Sequence, residues 1–72
     1  MKESQRILAK EVYRFLNWGD KQFTINKVNC VLHNHKYWIC TKGIKSNIYT
    51  IGENDSIVKV ANALAKIIEE IQ

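Results

Sequence analysis

Both ends of the chain show the hydrophobic spacing of an α-helix. Residues 3–18 contain an apolar stripe that recurs at i, i+4, i+7 and i+8, and residues 57–71 contain a second stripe with intervals of three and four. Such intervals place side chains on one helical face. The stripes are Leu8, Val12, Phe15 and Leu16, then Ile57, Val60, Ala61, Leu64, Ile68 and Ile71. Gly19 after the first segment and Asp55 or Ser56 before the second are residue types that end and begin helices.

The segment between the two predicted helices is rich in β-branched and aromatic residues, which favour strands. It is interrupted near Asn34 and again over residues 42–47, so it predicts three strands at 22–32, 36–42 and 47–51. Short connections between them indicate an antiparallel sheet. The hydrophobic positions of the first strand change phase near Asn26 and Lys27, which a β-bulge would explain. The expected fold is α+β, in the order αβββα, with both helices packed on one face of a three-stranded antiparallel sheet.

Composition limits the size and the class of the protein. Its 72 residues have room for a single domain, 1–72, and the 46% hydrophobic and 25% charged shares are those of a folded domain. The sequence has no apolar run long enough for a membrane span and no secretory signal. A cytoplasmic location is therefore expected, with Cys30 and Cys40 as reduced thiols.

Charge is distributed unevenly along the chain. Eleven Lys and Arg residues outnumber seven Asp and Glu, and no acidic residue lies between Asp20 and Glu53. That interval holds five lysines and both histidines: Lys21, Lys27, Lys36, Lys42, Lys45, His33 and His35. Such a segment would produce a positive potential that attracts phosphate backbones or acidic protein surfaces. The alternative is a solvated lysine surface that only maintains solubility.

The spacing of several motifs resembles that of the double-stranded-RNA-binding domain. Phe23-Thr24-Ile25 opens the first strand, a loop histidine follows, and Gly52 to Ser56 leads into the last helix. His33 is followed at the family's intervals by Tyr37, Ile39 and Thr41. The resemblance implies an αβββα fold. The sequence departs from the family where lysines hold phosphates at the start of the last helix, because Ile57, Val58 and Ala61 stand there and only Lys59 is near.

Few residues suggest catalysis or metal binding. Cys30, His33, His35 and Cys40 are potential zinc ligands, but alternation along strands would direct them to opposite faces, so no metal site and no cofactor are predicted. The sequence shows neither a glycine-rich phosphate loop nor paired catalytic carboxylates, and so small a fold offers little concavity for a substrate. The protein is not expected to be an enzyme.

The expected function is that of a small basic binding module that contacts structured RNA or DNA backbone. The predicted contact residues are His33, His35, Lys36, Trp38, Lys42, Lys45 and Lys59. For Trp38 the alternative is a place in the core. The alternative function is a protein-binding inhibitor or adaptor, of the kind that phages and mobile elements encode, that docks on an acidic protein surface. Ile57 and Val58 are adjacent on the second helix, so one is expected to form a protein or homodimer interface.

Overall fold

Two helices form where the hydrophobic stripes predict them. In a computed structural model, which describes residues 2–72, helix α1 spans Glu3–Asn17 and helix α2 spans Ile57–Ile71. Gly19 ends the first helical segment with φ of +82°, a conformation that glycine adopts without steric cost. The Ser56 hydroxyl accepts a hydrogen bond from the backbone N–H of Lys59 at 3.1 Å, so Ser56 is the N-cap of α2.

The sheet has four strands, so the predicted three-stranded order αβββα is wrong. The strands are β1 (Gln22–Ile25), β2 (Val28–His33), β3 (Tyr37–Lys42) and β4 (Lys45–Thr50). They pair in the spatial order β1-β2-β3-β4, and every pair is antiparallel. The order of elements is αββββα, and the α+β class holds.

The extra strand arises because the chain turns at Asn26 and Lys27. Because Ile25 pairs with Val28, the two residues between them form a complete hairpin turn. Asn26 and Lys27 both have positive φ, 51° and 67°, as required by the turn type that matches the twist of the strands. The phase change that predicted a bulge is therefore the reversal between two strands.

Alternation along the strands gives the sheet one covered face and one open face. Phe23, Val28, Cys30, Trp38 and Cys40 point to the helices and are all less than 5% exposed. They pack with a continuous stripe from α1 and α2, centred on Val12, Leu64 and Ile68, which are fully buried. The rings of Phe15 and Phe23 stack at 5.0 Å, and that of Trp38 lies 5.4 Å from Phe23. The core therefore lies between the helices and one face of the sheet.

The connections make the two helices antiparallel neighbours. In a four-stranded antiparallel sheet, β1 begins and β4 finishes at the same end of the sheet, so α1 arrives and α2 departs there. The start of α1 and the C-terminus of α2 meet at the opposite end of the sheet, where Ser4 and Gln72 line one depression with Asn26. The outward surfaces of α1 and α2 consequently form one layer that faces away from the sheet.

Candidate functional site

A groove runs between α1 and α2 on the side that faces away from the sheet. Its volume is about 610 Å³, within the range of ligand-binding clefts. The lining residues are Arg6, Ala9, Lys10, Tyr13, Arg14, Val58, Ala61 and Asn62.

Small residues produce the concavity. Ala9 is 8% exposed and Ala61 is 2% exposed, so these two side chains form the floor where the helices meet. Because alanine ends at its methyl group, the longer side chains beside it extend further from the helices and form the walls of the groove. Tyr13 and Val58 are 38% and 57% exposed and add apolar surface to the walls. The groove therefore offers an apolar floor that is open to solvent.

One wall of the groove is cationic. Arg6, Lys10 and Arg14 recur every four residues along α1, and a rise of 1.5 Å per residue spaces them by about 6 Å along the helix axis. Among the described residues that line the groove, none carries a carboxylate. Glu3 contacts Arg6 at 3.5 Å, but both side chains are more than half exposed, so this ion pair is weak. The wall keeps most of its positive charge.

The structure separates the lysines that were predicted to share one surface of the sheet. His33, His35 and Lys36 lie at the β2–β3 connection, whereas Lys42 and Lys45 flank the β3–β4 turn at the other end of the sheet. Strands of six residues place these two groups roughly 20 Å apart. Lys42 and Lys45 also pair on the side of the sheet that faces the helices, in phase with Cys40. The open face of the sheet therefore lacks the predicted row of lysines.

Lys59 is held by an ion pair within the protein. Its Nζ lies 3.0 Å from Oδ1 of Asp55, one turn earlier, and the Asp55 side chain is 8% exposed. Oδ2 of the same carboxylate accepts hydrogen bonds from the Tyr49 hydroxyl at 2.5 Å and the Gly52 N–H at 2.7 Å. The Tyr49 hydroxyl, then the Gly52 N–H and Lys59, lower the pKa of Asp55 from its ordinary 3.8 to about 2. Lys59 therefore supports the start of α2.

Three further predicted site residues have different environments. Trp38 is 2% exposed and packs on Phe23, so the prediction that it contacts a partner is wrong and its alternative, a core position, is correct. Its side chain points to the helices because it shares the phase of Cys30 and Cys40 in the sheet. Ile57 and Val58 are both exposed, and Val58 lines the groove.

The four potential zinc ligands do not converge. Cys30 and Cys40 face each other across β2 and β3 and are fully buried, whereas His33 and His35 are exposed at the β2–β3 connection. The hydrogen bond that the Cys30 thiol donates to Cys40, together with burial, raises the pKa of the Cys30 thiol. Across residues 2–72, no group of three or more His, Cys, Asp or Glu side chains is arranged to hold a metal ion.

No family model, no curated protein and no solved structure matches this chain. The resemblance to the double-stranded-RNA-binding domain stays a prediction. Within residues 2–72, no helix has both the length and the apolar character that crossing a membrane requires.

The groove was not predicted, although its signals are present in the sequence. Arg6, Lys10 and Arg14 repeat at intervals of four residues outside the hydrophobic stripe of α1. Ala9 and Ala61 are small residues within helical segments whose other core positions are mostly larger. Which faces of the two helices meet depends on packing, and single-helix periodicity does not contain that information.

Proposed function

We propose that the protein is a non-catalytic binding module that holds an acidic amphipathic helix of a larger protein in the groove between α1 and α2. The observation that carries this proposal is the combination of three cations on one wall, with no carboxylate among the lining residues, and an apolar floor. An amphipathic helix that docks in a groove supplies apolar anchors at intervals of three and four, flanked by charged residues.

The apolar floor favours a protein partner over nucleic acid. Interfaces with nucleic acid are polar and draw most of their affinity from phosphate contacts, so they gain little from buried alanine and valine surface. Protein interfaces combine an apolar centre with a polar rim and are enriched in Tyr and Arg. Tyr13 and Val58 provide that centre, and Arg6, Lys10 and Arg14 provide the rim.

The geometry of the cationic wall specifies the pattern of the partner. Arg6 and Arg14 are eight residues apart, which corresponds to about 12 Å along α1. A partner helix that lies along the groove would present acidic residues at i, i+4 and i+8 to match the three cations. Apolar residues one position away from this acidic row would then reach Ala9 and Ala61.

A binding measurement with designed peptides tests the proposal. The probe is a helical peptide with Glu at i, i+4 and i+8 beside a row of Leu, and its control is a scrambled peptide of identical composition. We expect the patterned peptide to bind more tightly and its affinity to fall as salt rises. Lys10→Glu should weaken this binding about tenfold, or about 1.4 kcal/mol. Fluorescence anisotropy measures both effects.

Lys36→Glu is the matched control for Lys10→Glu. It makes the same change of charge at an exposed lysine in the β2–β3 connection, away from the groove, so it should leave the affinity for the peptide almost unchanged. Duplex RNA and duplex DNA serve as competing probes under the same conditions. Equal weakening by Lys10→Glu and Lys36→Glu would show that the net charge, not the groove, attracts the peptide. Tight duplex binding without peptide binding would identify the protein as a nucleic-acid-binding module instead.

A further inference from the structure

The face of the sheet opposite the helices is uncovered and uncharged. We call it the open face, and define it as the strand residues that alternate with the core positions. They are Gln22, Thr24, Asn29, Val31, His33, Tyr37, Ile39, Thr41, Ser46, Ile48 and Thr50. This set, which lies entirely within the described part of the chain, contains no Lys, Arg, Asp or Glu.

An apolar row crosses the centre of the open face. Val31 on β2 pairs with Ile39 on β3, and Ile39 pairs with Ile48 on β4. Ile48 is 54% exposed, and the other two side chains are half-buried by their neighbours. Tyr37 extends the apolar surface next to this row, and its ring lies 5.2 Å from that of His33. Hydroxyl and amide side chains surround the row on the rest of the face.

We propose that the open face binds the open face of a second copy of this chain, forming a sheet-on-sheet homodimer. In a dimer with two-fold symmetry the same patch meets itself, so a net charge on that patch would repel the equal net charge on the other copy. The protein carries a net charge of +4, which opposes association through most of its surface. On the open face two copies meet without bringing like charges into contact.

The size of the face makes this dimer a weak one. Strands about 4.8 Å apart, three of six residues and one of four with 3.3 Å per residue, cover roughly 350 Å² in each copy. Two such faces together, roughly 700 Å², fall below the roughly 1,200 Å² at which stable specific interfaces begin, which is the range of weak and transient complexes. A dissociation constant in the micromolar to millimolar range is therefore expected. The two sheets should pack face to face about 10 Å apart.

Sedimentation equilibrium of the full chain over this concentration range tests the proposal. The average mass should rise from that of one chain toward twice that value as the concentration increases. Association should strengthen when the salt concentration is raised from about 20 to about 500 mM, because screening reduces the repulsion between two positive copies. Ile48→Lys should weaken the dimer at least tenfold, since it brings cations together in the interface.

Ile44→Lys is the matched control. Ile44 is fully exposed at the tip of the β3–β4 turn, outside the open face, and it receives the same substitution. At high salt, the repulsion that an added charge causes anywhere on the protein is screened. Under these conditions the dissociation constant of the Ile44→Lys dimer should stay within about twofold of the wild-type value. Thermal unfolding of each variant confirms that it is folded at the measurement temperature. A monomer at all concentrations, or equal effects of Ile44→Lys and Ile48→Lys, would overturn the proposal.

The salt response separates this inference from the proposed function. Peptide binding in the groove should weaken with salt, whereas dimerisation through the open face should strengthen. The groove and the open face lie on opposite sides of the molecule, so a failure of either leaves the other testable.

Discussion

Asp55 organises the connection between β4 and α2 at the level of single atoms. Its Oδ2 accepts hydrogen bonds from the Tyr49 hydroxyl and the Gly52 N–H, and its Oδ1 forms an ion pair with the Lys59 ammonium. Gly52 permits this arrangement because a Cβ at that position would lie 3.1 Å from Oδ1 of Asp55. One side chain thereby joins the last strand, the turn and the first turn of the helix.

The lowered pKa of Asp55 predicts acid-sensitive stability. Because the folded-state pKa is about 2 and the ordinary value is 3.8, the unfolded chain binds this proton first as the pH falls. The contribution of Asp55 is therefore fully present above about pH 5 and is lost as the pH approaches 2. Asp55→Asn should lower the free energy of unfolding at pH 7 and make it depend less on pH. The free energies of unfolding of the variant and the wild type should therefore converge near pH 2. Urea unfolding at a series of pH values measures the effect.

Two further variants show whether the hydrogen bonds to Asp55 or the net charge of the turn causes the pH dependence of stability. They are Tyr49→Phe and Glu53→Gln. Tyr49→Phe removes one of the three donors and should cost on the order of 1 kcal/mol at pH 7, with a shallower pH dependence than the wild type. Glu53→Gln removes an exposed carboxylate in the same turn and should leave the slope unchanged. An identical pH profile for Asp55→Asn and the wild type would show that Asp55 contributes no pH-dependent stability.

At the level of elements, the β1–β2 turn is conformationally unfavourable for its sequence. Lys27 adopts φ of +67°, and left-handed backbone costs a residue with a Cβ about 1–2 kcal/mol. Glycine is the preferred residue after asparagine in such a turn. Lys27→Gly should therefore stabilise the protein by about 0.5–1 kcal/mol, after the greater unfolded-state freedom of glycine is subtracted. Thermal unfolding should show a rise of about 4 °C.

The β3–β4 turn provides the control for this substitution. There Gly43 already occupies the residue with positive φ, +63°, and Ile44 lies outside the left-handed region. Ile44→Gly relieves no strain and adds freedom to the unfolded chain, so it should lower stability by up to about 1 kcal/mol. If both glycine substitutions change stability in the same direction, backbone strain at Lys27 is not the cause.

The elements show how far the sequence could predict the fold. Helix α2 was predicted over 57–71 and spans Ile57–Ile71, and α1 differs from its prediction by one residue, because hydrophobic spacing and caps are local signals. The strand count was wrong because the two-residue turn at Asn26 and Lys27 lacks the glycine that usually marks such a hairpin turn. The same hairpin fixes the phase of the later strands.

The candidate site was less predictable than the elements. The lysines between Asp20 and Glu53 form one group in sequence, but hairpins distribute them to both ends of the sheet. Trp38 has neighbours of mixed character on its strand, and only the pairing with β2 and β4 decides which side it faces. The groove requires two helices from opposite ends of the chain. Such a surface depends on long-range packing, which local pattern does not determine.

At the scale of the whole molecule, one core connects the helices with the sheet. Leu64 is fully buried at its centre, and a 72-residue domain is expected to have a stability of about 4–11 kcal/mol. Leu64→Ala should cost about 2–5 kcal/mol, a large fraction of that total, because it leaves a cavity between the layers. Ile57→Ala, at a 43% exposed position of the same helix, should cost less than about 1 kcal/mol.

Because the helices and the sheet share this core, they should unfold together as the urea concentration rises. Circular dichroism reports the helices, and the fluorescence of buried Trp38 reports the sheet once Trp18, which is 82% exposed, is replaced by Phe. The two signals should give one midpoint in the wild type, and Leu64→Ala should lower both midpoints equally. Separate midpoints would mean that the sheet and the helical layer unfold independently. The two helices that form the walls of the groove would then lack the support of the sheet on which they pack.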